Sequence, residues 1–200
     1  MKTLKFDSKE EWLQARRGKI TGSRLKDVLV KRGSGKKIGF YELVAERLGI
    51  AADGEDVMER GTRLEPEAME LFIKESKKKV DTSLVMWQRD DDENIAISPD
   101  GFVGKTEAVE VKCLSSARHI EAWLTKQVPS EYEEQMIQYF VVNDELKKLF
   151  FVFYDPRLIA KPFFTIQVKR KDIQEKIDIT LEYEKMVLAE VDEAVNSLTY

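Results

Sequence analysis

Three ionisable residues near the middle of the chain have the types and spacing of a catalytic site. Asp100 lies in a Pro99-Asp100-Gly101 turn, and Glu110 and Lys112 occupy alternate positions of a β-branched stretch that follows. Side chains of a strand alternate between its two faces, so Glu110 and Lys112 must point to the same side. A hairpin would bring Asp100 close to both. Such a grouping is costly unless a cation binds there or solvent reaches it.

The chemistry that suits these residue types is metal-assisted hydrolysis. Mg²⁺ prefers oxygen ligands and keeps several waters, so one Asp and one Glu would hold it while leaving coordination positions for phosphate and water. A nearby Lys would orient or deprotonate the attacking water and offset charge on the phosphorus. This segment therefore predicts hydrolysis of a phosphodiester.

The acid-x-Lys triplet is by itself a weak pattern, because the composition predicts about four by chance. It also occurs at Asp7-Lys9, Glu75-Lys77 and Glu145-Lys147. Only Glu110-Lys112 lies in a β-branched stretch that follows a Pro-Asp-Gly turn. The alternative interpretation is an exposed hairpin face that carries an ordinary ion pair.

The composition narrows the class of protein. The 200 residues are 42% apolar and 10% aromatic, as in a globular protein, and nothing in them suggests a boundary, so we expect one domain over residues 1–200. The lone Cys excludes an internal disulfide and a multi-cysteine zinc or iron–sulfur site, which favours a reducing compartment. The first residues lack an apolar signal core. We therefore expect a cytoplasmic protein.

The charge is unevenly distributed along the chain. The formal net charge is -4, yet residues 1–40 hold twelve Lys or Arg and only four acidic residues. The remainder is correspondingly acidic. This asymmetry predicts a basic patch that suits a nucleic-acid partner. The acidic residues of the remainder could supply ligands for a divalent cation. A merely solvated basic surface is the alternative.

The elements that must position these residues follow from periodicity and from capping signals. Helices are expected over about 8–17, 23–30, 40–48, 57–79, 116–126, 131–142 and 171–197, and strands over about 83–88, 94–98, 108–113, 148–154 and 163–168. A glycine-rich basic loop at 31–39 lacks the Walker spacing, so we interpret it as a flexible loop. The layout is α/β (α+β), with helices around a small mixed sheet.

Four motifs in order resemble one family. They are Trp12-x-x-x-Arg16-x-Gly18-x-Ile20-Thr21-x-Ser23, Arg60-Gly61-x-x-x-Glu65-x-x-Ala68-x-x-x-Phe72, Ser98-Pro99-Asp100-Gly101 with Glu110-x-Lys112-Cys113, and Tyr132-x-x-Gln135-x-x-Gln138-Tyr139. Together they resemble the lambda-type phage recombination exonucleases, also called YqaJ-like viral recombinases, of the PD-(D/E)xK nuclease superfamily. The resemblance implies a restriction-endonuclease-like core and one nuclease domain. Leu114 and Pro66 depart from the family pattern.

The resemblance also implies roles for individual residues. Asp100, Glu110 and the carbonyl of Val111 would bind Mg²⁺, or Mn²⁺ in its place, and Lys112 would be the catalytic lysine. Glu65 would join them from its helix and help to hold a second ion. Two ions would stabilise both the attacking and the leaving oxygen, which one ion does not. For Glu65 the alternative is an exposed helix carboxylate.

A phosphate pocket is implied for Arg16, Ser23 and Ser98, in this family for the 5′-terminal phosphate of DNA. Ser23 would act as a helix N-cap, and a capping role alone is the alternative. Gln135 and Gln138, with Tyr132 nearby, would face the metal site or the nucleic-acid backbone. Solvated helix surface is the alternative for both glutamines.

The function implied is a Mg²⁺-dependent exonuclease that degrades one strand of duplex DNA from its 5′ end and leaves 3′ single strands for phage-type recombination in the bacterial host. A ring-shaped homotrimer and a single-strand annealing partner are implied with it. An endonuclease on the same core and a non-catalytic DNA-end-binding module are the alternatives. The sole histidine, His119, is expected at the surface or at a helix cap rather than in catalysis.

Overall fold

The computed structural model describes residues 1–29, 40, 43, 47, 58–114 and 116–199. The basic loop expected at 31–39 lies outside these residues, and so does most of the helix expected at 40–48. Within the described residues, no helix is both long and apolar enough to cross a membrane.

Six helices lie close to where the sequence predicts them. They are α1 (Lys9–Ala15), α2 (Gly22–Val28), α3 (Met58–Ser76), α4 (Ser116–Thr125), α5 (Glu133–Val142) and α6 (Gln174–Leu198). The Ser8 hydroxyl accepts the backbone N–H of Glu11 at 3.1 Å and caps the N-terminus of α1. Pro66 lies inside α3 and does not begin it. Short 3₁₀ turns, Ser130–Tyr132 and Arg170–Asp172, precede α5 and α6.

The strands of the described residues form two four-stranded mixed sheets, not the single sheet expected. β1 (Lys2–Lys5), β3 (Val85–Gln88), β4 (Ile95–Ile97) and β2 (Ile20–Thr21) are adjacent in that order in one sheet. β5 (Gly101–Val103), β6 (Glu107–Lys112), β7 (Lys148–Tyr154) and β8 (Phe163–Lys169) form the other. The α/β class is confirmed, whereas β1, β2 and β5 were not predicted because strands of two to four residues show little periodicity.

The hairpin that joins β5 to β6 is the central feature of the second sheet. Gly101 pairs with Val109, and β6 runs parallel to β7 so that Glu110 lies beside Phe151. Helix α3 covers one face of β6, where Val109 and Val111 pack with Phe72. Glu110 and Lys112 therefore point to the opposite face, as the period of two predicts.

That opposite face belongs to the main core, which joins both sheets to α2, α5 and α6. Helix α5 is fixed there at its C-terminal end by Arg170. The Arg170 guanidinium donates to the carbonyls of Phe140 and Asn143 at 2.6 Å and of Leu146 at 2.8 Å. These carbonyls lie at and just beyond the helix end, where intrahelical partners run out. Arg170 thus helps to hold α5 against the sheet.

Helix α6 carries an acidic side chain into this core. Glu184 is fully buried beside the Gln138 amide. Burial raises the pKa of the Glu184 carboxyl well above its usual range, and Gln138 and Arg89 offset only part of this. The folded protein therefore keeps a proton on Glu184 at pH values where the unfolded chain has lost it. Its contribution to stability falls as pH rises above the ordinary glutamate pKa.

We expect Glu184→Gln to remove this pH dependence. The free energy of unfolding of the variant relative to that of the wild type should increase from pH 5 to pH 8, because only the wild type must bury a group that prefers to ionise. Urea unfolding at both pH values measures it. Glu182→Gln, an exposed position on α6, is the control and should give a difference that does not change with pH. A Glu184→Gln effect that is the same at both pH values would contradict the interpretation.

Candidate active site

A cleft of about 540 Å³ gathers most of the residues that the sequence singled out. Its walls come from α1, α2, α3, β6, α5 and the turn after β4. The sequence-predicted residues that line it are Arg16, Ser23, Glu65, Ser98, Asp100, Glu110, Val111, Lys112 and Gln135. Residues as far apart in the chain as Arg16 and Gln135 therefore meet at one place, which is how enzyme sites are assembled on folds of this size.

Glu110 is the centre of the hydrogen-bond network. The residue is only 3% exposed. Oε1 accepts from Lys112 Nζ and from Gln135 Nε2, both at 2.6 Å, and Oε2 accepts from the Tyr139 hydroxyl. The alternative of an exposed hairpin face with an ordinary ion pair is wrong, because α5 covers this face of β6.

Asp100 is tied to the same strand through its side chain. Its Oδ2 accepts the backbone N–H of Val111 at 2.7 Å, which extends the β5–β6 ladder beyond Gly101, the first residue of β5. Burial raises the pKa of Asp100 well above its usual range, with further increases from the charges of Glu110 and Glu65. The expected proximity of Asp100 to Glu110 and Lys112 is thus observed.

Glu65 reaches the same cleft from α3. Burial raises the pKa of its carboxyl, and the charge of Glu110 raises it further, while Lys112 and Lys9 act in the opposite sense. Pro66 therefore does not turn this side chain away from the acidic group. The exposed-carboxylate alternative for Glu65 does not hold, since the side chain is partly buried in the cleft wall.

Lys112 supplies positive charge among these carboxylates. Burial alone would lower the pKa of its ammonium, but the charge and hydrogen bond of Glu110, together with Asp100, raise it overall. The ammonium also lies 4.6 Å from the ring centre of Tyr132, within cation–π range. Tyr132 thus contacts the site through Lys112.

The donor set suits a hard cation by chemistry. Carboxylate oxygens are the ligands that Mg²⁺ prefers, and a hydrogen bond to one oxygen leaves further acceptor positions on a carboxylate. In the part of the chain that the structure describes, no three acidic, histidine or cysteine side chains stand in ready metal-ligand geometry. The Lys112 ammonium and Gln135 amide occupy Glu110 Oε1, so a cation at Glu110 would have to displace or share these donors.

A second cluster of polar side chains lies beside the carboxylates of Asp100, Glu110 and Glu65. Arg16 donates to the Ser23 hydroxyl at 3.0 Å, and its guanidinium stacks 4.3 Å from the Trp12 ring centre. The Trp12 indole N–H donates to the Ser98 hydroxyl at 2.9 Å. A guanidinium with two hydroxyls is suited to an anion such as phosphate. Ser23 is not the N-cap expected, because α2 begins at Gly22 and Thr21 precedes it as the N-cap.

Two predictions from the sequence have a different outcome. Gln138 is fully buried and donates to the carbonyl of Ile20 at 3.4 Å, so the structure places it behind the cleft, in the core. The surface or cap expected for His119 is wrong. Its ring is buried 4.8 Å from that of Phe164, and its Nε2 lies 2.9 Å from the Lys161 carbonyl oxygen.

Sequence reasoning gave no role to Trp12, Tyr139 or Lys9, which the structure brings to the site. Trp12 connects Arg16 to Ser98, and Lys9 lines the cleft near Glu65. The spacing of Tyr139, four residues after Gln135, was the available signal, because positions i and i+4 share a helix face. A tyrosine in an apolar helix is equally explained as a core residue, so this spacing alone does not assign it to the site.

Comparisons with known proteins identify the family of this chain. The family model for the YqaJ-like viral recombinase domain matches residues 11–145. The chain belongs to the YqaJ-like viral recombinase family. The four-motif resemblance is thereby confirmed. No match was found among curated proteins.

Solved structures of similar proteins extend the family comparison. An alkaline exonuclease from Laribacter hongkongensis (LHK-Exo) is 31% identical, with a TM-score of 0.82 over 94% of this chain and 95% of that one. Its complex with dAMP gives 32% identity and the same TM-score and coverage. A phage-related exonuclease from Haemophilus somnus 129PT, 15% identical with a TM-score of 0.60 over 90% of this chain and 96% of that one, shares the fold. The PD-(D/E)xK fold expected from the motifs is confirmed.

We expect Lys112→Met to destabilise the metal-free protein by about 2–4 kcal/mol, because three carboxylates would then share the cleft without their nearest cation. Urea unfolding in EDTA measures the loss. Lys105→Met is the matched control, since Lys105 forms an exposed ion pair with Glu145 at 3.1 Å and should cost less than about 1 kcal/mol. Equal losses in the two variants would show that Lys112 does not compensate the acidic group.

Proposed function

We propose that this protein is a metal-dependent 5′-to-3′ exonuclease that degrades one strand of duplex DNA and leaves 3′ single strands for recombination by annealing. The observation that carries the proposal is the cleft itself, in which Asp100, Glu110 and Lys112 lie beside the Arg16 and Ser23 pair. Membership of the viral recombinase family and the likeness to an alkaline exonuclease support it.

Asp100, Glu110 and the carbonyl of Val111 would hold Mg²⁺ or Mn²⁺, and Glu65 would contribute to a second ion. When bound, the ions supply Lewis-acid activation of the scissile phosphate and of the attacking water. Oxygen donors on a short strand, a turn and a facing helix suit this role. The pKa values of Asp100 and Glu65 are raised, and a bound cation would stabilise both carboxyl groups in their ionised forms.

Lys112 and Gln135 act on the reacting phosphate in this proposal. Both donate to Glu110 Oε1, so both would turn toward an anionic ligand when a cation takes that oxygen. The Lys112 ammonium would then hold the attacking water or neutralise charge that develops on a phosphate oxygen. Gln135 would donate to the same group or to the water.

The pocket formed by Arg16, Ser23 and Ser98 supports the proposed 5′-to-3′ direction of degradation. Arg16, Ser23 and Ser98 offer a guanidinium and two hydroxyls to a phosphate near the acidic group. A terminal phosphate held there would place the first phosphodiester of that strand at Asp100 and Glu110, so hydrolysis would proceed from the 5′ end. A 5′-deoxynucleoside monophosphate such as dAMP, which the Laribacter relative binds, is the product class of such a reaction.

The biological setting is proposed on the family relation. The basic residues concentrated in positions 1–40 would contact the DNA backbone, and Lys9 already lies at the cleft. A ring-shaped homotrimer around the duplex and a single-strand annealing protein that binds the exposed 3′ strand complete the proposal. The reaction would take place in the cytoplasm of the bacterial host.

We expect Lys112→Ala to lower the rate of strand degradation by about 10²- to 10⁴-fold, because the catalytic ammonium group is lost. Binding of duplex DNA should be largely kept, because the other substrate contacts remain. Asp100→Ala should abolish metal-dependent degradation. The assay uses linear duplex DNA labelled on each strand in turn, with and without Mg²⁺, and fluorescence anisotropy for binding. Lys105→Ala is the control. Undiminished metal-dependent cleavage by either site variant would reject the assignment.

A closed circular duplex separates this proposal from an endonuclease on the same core. An exonuclease spares the circle and degrades the linear form, whereas an endonuclease cuts both. A DNA-end-binding module would degrade neither, and Lys112→Ala would then leave all its activities unchanged.

We expect Arg16→Ala to reduce the preference for 5′-phosphorylated ends by about 10- to 100-fold, because a charged hydrogen-bond donor to the phosphate is removed. The ratio of rates on 5′-phosphate and 5′-hydroxyl duplexes measures this preference directly. Arg17→Ala, an exposed neighbour, is the matched control and should keep the wild-type ratio. A wild-type enzyme that degrades both ends equally fast would remove the basis for the pocket.

A further inference from the structure

We propose that Tyr139 is a positioning residue for Glu110. Its hydroxyl fixes one oxygen of that carboxylate from the core side, so that Glu110 meets the cation in a single orientation. The inference rests on the proposed function, because it concerns one of the metal ligands named there, and it gives a role to a residue that the fourth motif contains but that does not line the cleft.

The donors to Glu110 fall into two kinds. Lys112 and Gln135 both donate to Oε1, and both side chains line the cleft, where a bound cation or phosphate competes for them. Tyr139 donates to Oε2 and is 0% exposed. Its hydrogen bond is therefore the one that persists when the cleft side of Glu110 changes partners.

Tyr139 is itself held rigidly. It lies on α5, whose C-terminal end Arg170 fixes, and its ring meets the ring of Trp87 edge to face, with the centroids 6.5 Å apart and an interplanar angle of 86°. Trp87 is 1% exposed in the core of the first sheet. A close-packed aromatic side chain keeps one rotamer, so its hydroxyl presents a fixed donor.

A fixed donor behind a metal ligand has a measurable effect. Groups that hydrogen-bond the ligating side chains orient them, and their loss typically costs about 10- to 100-fold in metal affinity or activity. Filling of the core alone predicts a different outcome, since phenylalanine at position 139 would pack against Trp87 equally well and metal binding would not change.

Tyr139→Phe tests the inference on the full chain without DNA. Mn²⁺ affinity, measured from the electron paramagnetic resonance signal of free Mn²⁺, should weaken by about 10-fold or more, and the Mg²⁺ concentration for half-maximal nuclease rate should rise in parallel. Tyr183→Phe is the matched control, because its hydroxyl bonds the Val28 carbonyl at 3.4 Å, away from the cleft, and its loss should leave both values unchanged. Circular dichroism in EDTA verifies that each variant is folded.

The outcomes distinguish this inference from the proposed function. Folded Tyr139→Phe with wild-type Mn²⁺ affinity overturns the role of Tyr139, and the metal site stands if Asp100→Ala has lost binding. A wild type with no Asp100-dependent Mn²⁺ binding overturns both. Should the Phe variant not fold, Tyr139→Met provides a second hydroxyl-free side chain of adaptable shape, to which the same two criteria apply.

Discussion

A nearly buried carboxylate held by three donors is the interaction on which the site depends. Glu110 must point inward because the valines beside it on β6 pack against α3, and the period of the strand allows no other choice. A charge in that position is tolerated only with close partners. Lys112 supplies one from the same strand, while Gln135 and Tyr139 supply two from α5. Strand and helix are therefore bound together through this one group.

The same constraint explains why the acidic group is poised for a cation. Asp100 takes the N–H that would otherwise extend the ladder, and Glu65 enters from the helix on the other side of the sheet. Repulsion among the three carboxylates adds to the effect of burial in raising the pKa values of Asp100 and Glu65, and the charge of Lys112, with that of Lys9 near Glu65, offsets only part of this. Burial and mutual repulsion of these carboxylates thus lower the stability of the fold at the proposed site, as is common at functional sites.

Much of this arrangement could be read from the chain, and the errors have physical causes. The long helices and the β6–β8 strands carry strong periodicity and lie close to where they are expected. The two-residue β2 and the three-residue β5 carry none, so their pairing into two sheets was missed. Gln138 and His119 were expected at positions open to solvent, yet each is buried because the neighbouring helix or strand closes over it. Whether a polar side chain on a helix is buried depends on which elements pack against it, and the local sequence pattern does not show this.

The sequence by itself determined the types of the reacting groups and their side of the strand, because alternation on β6 and the Pro-Asp-Gly turn are local properties of the backbone. It also indicated the family, because the four motifs and their order are visible in the sequence without a structure. Only the tertiary structure showed that Gln135 and Tyr139 donate to Glu110 and that α5 covers the face of β6 on which Glu110 lies. Those facts depend on α5 packing across the sheet, and a contact between residues some 30 positions apart is fixed by packing of the whole core and not by any local spacing.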